Sequence, residues 1–507
     1  MSDNSVEIVQ QIRAQFEALL TQVQVTSGEP PSAYEVEKRL VTDLLELGRL
    51  LLTCFFCSQQ SALEAVISVE FNGQRLPLHG SRRRSLYSVF GKIVFWRGYF
   101  YCNKQGYCLL DARLNLPERS VSDLFREWRS RLACYNPYHK TGKTLNSILG
   151  QRPCARAIED DIERDRHLAE VFYDQHPVPV PSSEASILVA QADGKGVPML
   201  GEKQEKGRVR LSKGDKASRK KEAIATSVYT IEPCIRTPTQ VTDSLFMTAP
   251  PGQQDEAPVS DGSTKRKGPQ NKWLWATFVG KSGAIEFAKK QITRREGEHI
   301  TSRVALADGS APLQFHMVKH LPDFTLILDI IHAIEYMWTA ANRLFGEKSP
   351  KREAWVRERV ELILSGGAQQ IIDEFEKLAS EPDCRKSARI ALKETISYYK
   401  RNLPYMRYDV YLAKGWPIGT GVIEGACRHL IKDRCELSGM RWTISGAEGL
   451  LHSRSIAEND DWDHFEEFRR AKRKAELYGK ILQIEKSATI ELAAIQASAV
   501  ATEYKAA

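Results

Sequence analysis

Three short apolar runs in this chain each end in an aspartate. Ile187-Leu-Val-Ala-Gln-Ala192 leads into Asp193-Gly194, Val304-Ala-Leu-Ala307 into Asp308-Gly309, and Phe324-Thr-Leu-Ile-Leu328 into Asp329. Short apolar runs with β-branched residues read as buried strands, which suggest a largely parallel sheet with helices on its faces. The carboxyl ends of parallel strands share one edge, where ligands and reacting groups collect. Three carboxylates at one edge repel each other, and a hard divalent cation relieves that repulsion. Mg2+ takes carboxylate and phosphate oxygens together, so the chemistry suggested is metal-assisted work on a phosphate ester. Taken singly, each aspartate also suits a turn or a helix N-cap. Asp193-Gly194 is compatible with both chemistry and a turn into Val197–Leu200.

A fourth acid stands apart from these. Gly419-Thr-Gly-Val-Ile-Glu424 opens a run in which Ile423, Cys427, Leu430 and Ile431 recur at helical spacing, so Glu424 falls in the first turn of an amphipathic helix. Arg428 and Lys432 follow at i+4 and i+8 on the same face, with Arg434 and Arg441 beyond. A carboxylate followed by a basic stripe suits a metal ligand beside a phosphate backbone, and an ordinary ion-pair helix shares the same spacing. Trp416 and Trp442 flank this block and fit either core packing or stacking on an unpaired base.

Several elements must position these residues. Residues 1–75 read as helical, with Val36, Leu40, Leu44, Leu45 and Leu51 at helix spacing. Residues 76–117 form a small β-rich segment whose aromatic and β-branched run, 86–101, turns near Gly91 or Gly98. Cys102 and Cys108 follow; zinc there would need further ligands, and core packing is the alternative. Residues 118–175 read as three Arg-rich helices, either a helix-turn-helix-like DNA-binding module or a plain helical linker. Residues 176–184, rich in proline, mark a linker. Residues 237–271 are polar and rich in Pro, Gly and Ser, as a flexible insertion would be, and 333–404 carry long helical stripes. The tail, 481–507, is Ala-rich.

Composition narrows the class. The chain has 507 residues, 72 Lys+Arg against 64 Asp+Glu, and a net charge of +8. A chain 42% hydrophobic and 27% charged is not wholly disordered, collagen-like or a disulfide-stapled mini-protein. Leu50–Cys57, the longest apolar stretch, is far short of the ~20 residues that span a bilayer. The N-terminus lacks a secretory signal, and the ten scattered cysteines fit a reduced compartment, so a cytoplasmic protein is expected. The basic excess is clustered: residues 201–221 hold nine Lys/Arg against three acids, 9 − 3 = +6. Further runs lie at 82–84, 265–267 and 469–474. Such clusters suit a polyanion, though solvated loops share the pattern.

The chain resembles a DDE transposase of a bacterial insertion sequence, of the ISKra group. The phrases that carry the resemblance are ADGKGVPM (192–199), VALADGSAPLQ (304–314), LILDIIHAIEYMWTAANRLFGE (326–347), MRYDVYLAKGWPIGTGVIEGACRHLIKDRCELSGMRW (406–442) and NDDWDHF (459–465). The resemblance implies an α/β fold: an RNase H-like catalytic core over 185–480 with a helical insertion, preceded by a mainly helical DNA-binding region. It implies a catalytic Asp193, Asp308 and Glu424 that hold Mg2+, with Mn2+ able to substitute. Asp329 is the alternative second acid; otherwise it forms with His332 the D-x-x-H pair that accompanies such triads. Arg428, Lys432, Arg434 and Arg441 would contact DNA. The expected activity is cleavage of element ends and strand transfer to target DNA by a homo-oligomer, nucleoid-associated when on DNA. A catalytically inactive DNA-binding descendant and a structure-selective nuclease are the alternatives.

Overall fold

The computed structural model describes residues 3–24, 31–71, 73–200, 220–246, 266–437 and 439–479, and the chain divides into two compact units. The first is drawn from residues 1–164 and 461–507, the second from 165–460.

The first unit opens with two helices, α1 (Asp3–Val23) and α2 (Ala33–Ser61). A capping box between Ser32 and Glu35 starts α2, and Phe56 on its buried side stacks on Phe95 at 4.3 Å. A four-stranded antiparallel sheet follows in the order β1 (Ser68–Phe71), β2 (Gln74–Ser88), β3 (Gly91–Cys102), β4 (Gln105–Tyr107). The β2–β3 hairpin turns at 89–90, so Gly91 and not Gly98 follows the bend. Cys102 ends β3, and Cys108 is buried at the start of α3 (Leu109–Arg113). Three helices then appear where the sequence places them: α4 (Asp123–Tyr135), α5 (Tyr138–Leu149) and α6 (Ala155–Gln175). Two of the basic runs are partly structural. Arg84 is buried against Asp111 at 2.8 Å, while Arg469 and Arg473, from the helix Trp462–Arg473, reach Asp123 at 3.0 and 2.8 Å. Burial obliges a charge to find a partner, so these arginines hold the unit together.

The division between units falls inside α6, whereas the sequence places it at 176–184, where Pro181–Ser183 form a single 3-10 turn. Residues 461–479 likewise group with the first unit, whereas the sequence reading joins them to 185–460.

The second unit is built on a five-stranded sheet: β5 (Ile187–Pro198), β6 (Lys220–Ile231), β7 (Gln270–Thr277), β8 (Ser302–Ala307) and β9 (Thr325–Leu328), ordered β7-β6-β5-β8-β9. The three strands that lead to the aspartates are mutually parallel, β5 beside β8 and β8 beside β9. Strand β6 runs antiparallel to both its neighbours, β5 and β7, so the sheet is mixed, with two parallel and two antiparallel pairings. The signals of β6 and β7 are hidden in the sequence, since the first begins inside the basic run and the second at the end of the polar stretch. Strand β5 passes through Asp193 without turning: Asp193 faces Ala225 and Val197 faces Lys221 across the same ladder.

Helices cover the sheet. Part of the expected 237–271 insertion is ordered as α7 (Pro238–Phe246); its stretch 247–265, like most of the basic run 201–221, lies outside the described residues. Helices α8 (Gly280–Arg295) and α9 (Ala311–His320) flank β8. The stretch expected to be helical holds α10 (Ile330–Phe345), α11 (Lys351–Leu364), α12 (Ala368–Ser380) and α13 (Lys386–Asn402). A core shared by Val304, Leu306, Ile327, Met337, Val360, Ile371 and Tyr399 joins these helices to the strands. The short α14 (Tyr408–Ala413) and α15 (Gly421–Ala426) follow, then a π-helical segment, Cys427–Lys432. Beyond it are a single turn, α16 (Asp433–Cys435), and α17 (Ile444–Glu458). No helix of the described residues is long and apolar enough to cross a membrane.

Candidate active site

Asp193 lies within β5, whereas Asp308 and Asp329 directly follow the last residues of β8 and β9. Asp193 lies on β5, half-buried, and its Oδ1 accepts from the Gly194 N–H at 2.6 Å. Its carboxyl is held above the usual range, first by burial and further by the charge of Asp308; bonds from the Cys427 thiol and the Gly194 amide oppose the shift. Burial, with the charge of Asp193, pushes the Cys427 thiol far up, so it stays protonated and donates to that carboxylate.

Asp308 follows β8. Its Oδ1 accepts from the Ser310 N–H at 2.9 Å. Helix α13 fixes the loop: Tyr398 Oη donates to the Asp308 carbonyl at 2.9 Å and Arg401 to the Gly309 carbonyl at 3.1 Å. Gly309 has φ +84°, and a Cβ there would stand 2.5 Å from Tyr398 Oη, so only glycine lets the chain turn away behind Asp308.

Asp329 follows β9 and is fully buried as the N-cap of α10. One carboxylate oxygen accepts from the His332 N–H at 2.9 Å and from its Nδ1 at 2.7 Å, and the other accepts from the Thr420 N–H at 2.8 Å. Both oxygens are thus spent on protein partners. The bond to Asp329 raises His332 to about 9 against the opposing effect of burial.

Glu424 projects from α15 and is exposed. Its Oε1 accepts from Thr420 Oγ1 at 2.9 Å. One ligand atom from each of Asp329, His332 and Glu424 lies within 4.8 Å of the others. His332 in turn is close enough to Asp193 and Asp308 to interact electrostatically with both, so the five residues share one neighbourhood. Among the described residues no lysine or arginine forms an ion pair with Asp193, Asp308 or Glu424. Carboxylate oxygens without a cationic partner are the donor set that Mg2+ or Mn2+ prefers.

The basic residues after Glu424 divide. Arg428, Lys432 and Arg441 are exposed. The π-helical segment alters the spacing that would have stacked the first two under Glu424. Arg434 is a correction: it is 1% exposed, with its guanidinium over the Trp442 ring and Nη1 at 3.1 Å from Met440 Sδ. A phosphate cannot reach it without opening the core. Trp416 and Trp442 are buried too and do not face solvent for stacking.

Three residues that shape the site escaped sequence reasoning: Gln191, Tyr398 and Thr420. Only Gln191 left a signal, as the one polar side chain inside an otherwise apolar strand run.

No protein-family model and no curated protein matches this chain. Among solved structures it is similar to the Drosophila P element transposase strand transfer complex, at 9% identity and a TM-score of 0.25, over 68% of this chain and 81% of that one. A likeness that slight carries no argument.

Proposed function

We propose that the second unit is an RNase H-like catalytic core and that the protein is a DDE transposase, cleaving DNA at the ends of a mobile element and joining them to target DNA. The observation that carries the reading is the gathering of Asp193, Asp308 and Glu424, with His332, at one edge of a mixed sheet, with no lysine or arginine of the described residues paired to the three acids. The strand arrangement supports it: an antiparallel meander of three, with two further strands parallel to the first, is the RNase H-like sheet order. So does the helical insertion placed between the second and third acids.

Asp308 is the better second acid, because the oxygens of Asp329 already serve His332 and Thr420. Asp193, Asp308 and Glu424 would hold Mg2+, or Mn2+ in its place. Metal bound there supplies activation of the attacking hydroxyl and stabilisation of the leaving oxygen. Asp329 orients His332, whose protonated ring can donate to a phosphate oxygen at the same edge. Arg428, Lys432 and Arg441 would contact the DNA backbone.

Asp193→Asn keeps the shape of the side chain and removes its charge. The expected outcome is loss of Mg2+-dependent nicking and joining on element-end DNA, with DNA affinity retained. Nicking at the wild-type rate by this variant would remove Asp193 from the mechanism. Wild-type chain that binds DNA but never nicks it in Mg2+ or Mn2+ would instead favour a DNA-binding descendant.

A further inference from the structure

We infer that Gln191 is a positioning residue that sets where Glu424 stands. The inference rests on the reading of Glu424 as an acid of the site. Gln191 precedes Asp193 by two residues, so the two lie on the same face of β5. Its side-chain amide is buried at 1% exposure and fully engaged. Oε1 accepts from the Ile423 N–H at 3.0 Å, while Nε2 donates to the Gly419 carbonyl at 3.4 Å and to Tyr229 Oη at 3.1 Å. One side chain thus grips both ends of the segment 419–423, immediately before Glu424.

The grip falls where the helix most needs it. The first N–H groups of a helix have no partner within it, and Thr420 provides no side-chain cap to α15. The Ile423 amide is one of these orphans, and Gln191 satisfies it; Asp329 does the same for the Thr420 amide. Thr420 Oγ1 then donates to Glu424 itself. From the same strand face Asp193 takes the Cys427 thiol, one turn beyond Ile423. Strand β5 therefore carries one acid and the clamp that locates another, so the separation of the two is set by a single rigid element. Outer partners that orient metal-ligating groups typically change metal affinity about 10–100-fold when lost.

The test uses the full chain and Mn2+ alone as probe, with three variants. Gln191→Met keeps length and removes every hydrogen bond; Gln191→Glu keeps the acceptor for Ile423 and loses the donors. Thr226→Val, on the neighbouring strand at a buried hydroxyl without a partner, is the folding control. Mn2+ affinity is read by calorimetry, and amide exchange is followed at residues 420–424 and, for comparison, at 188–190. Gln191→Met is expected to weaken Mn2+ about tenfold or more and to speed exchange at 420–424 but not at 188–190. Gln191→Glu, which retains an acceptor for Ile423, is expected to leave exchange at Ile423 close to wild type. Faster exchange in Gln191→Met with Mn2+ affinity within twofold of wild type would overturn the inference while leaving the metal site standing, and unchanged exchange would overturn the clamp itself. Absence of Mn2+ binding by the wild-type chain would instead overturn the reading of the acids.

Discussion

Asp329 and Asp308 end neighbouring parallel strands, yet their carboxylates face different tasks. Asp329 is fully buried and accepts three hydrogen bonds, two from His332 and one from Thr420. Among the described residues Asp308 has one carboxylate oxygen without such a bond, and its loop is anchored by Tyr398 and Arg401 through the carbonyls of Asp308 and Gly309. Asp329→Ala would strand the Thr420 and His332 amides, at about 1–3 kcal/mol for each donor left buried without a partner. Its urea midpoint should therefore fall markedly, whereas Asp308→Ala should stay near wild type in stability and lose activity. Equal stability losses for the two variants would reverse these assignments.

Among the elements, helices α13 and α17 show how distant segments secure the sheet. Helix α13 braces the Asp308 loop through Tyr398 and Arg401. Helix α17 closes the free edge of β7. Asn459, which caps it, accepts from the Leu274 N–H at 2.8 Å, Ser455 from Ala276 at 3.2 Å, and Glu448 from Phe278 at 2.7 Å. An edge whose amides are taken this way cannot pair with another chain. Burial would raise the Glu448 carboxyl, but bonds from His452, Thr277 and Phe278 outweigh it and hold the carboxyl below the usual glutamate range. A depressed acid stabilises the fold fully above its unfolded value and loses that contribution as pH falls through the folded one. Wild-type protein should therefore lose stability below about pH 4.5 more steeply than Glu448→Gln, as denaturant midpoints across pH 3–6 would show. Parallel curves would mean that the Glu448 carboxyl is not linked to folding.

Across the whole molecule, the +8 charge counts less than where its cations end up. Arg84, Arg434, Arg469 and Arg473 are committed to internal contacts, while Arg428, Lys432 and Arg441 remain at the surface of the unit that carries the acids. Each phosphate neutralised by such a residue releases counterions, so affinity for DNA falls with salt. Arg428→Ala should weaken DNA binding regardless of sequence and lower the slope of log affinity against log salt by about one. The buried Arg434, replaced by Met, should leave that slope unchanged. A slope equal to wild type for Arg428→Ala would place the DNA elsewhere.

What the sequence determined by itself is what depends on near neighbours. Apolar runs ending in acids specify β5, β8 and β9 and the placement of Asp193, Asp308 and Asp329, and helical spacing specifies α15 with Glu424 in its first turn. The three helices α4 to α6 and the inserted helices were legible for the same reason: periodicity needs no partner. Only the tertiary structure decided which aspartate is spent and which is free, that Arg434 is buried, and that β6 and β7 complete a mixed sheet. Those outcomes turn on hydrogen bonds and burial between residues far apart in the chain, 91 positions for Asp329 and Thr420 and 232 for Gln191 and Ile423. Local pattern carries no record of such pairings, because each residue type is compatible with its other role until the fold supplies the partner.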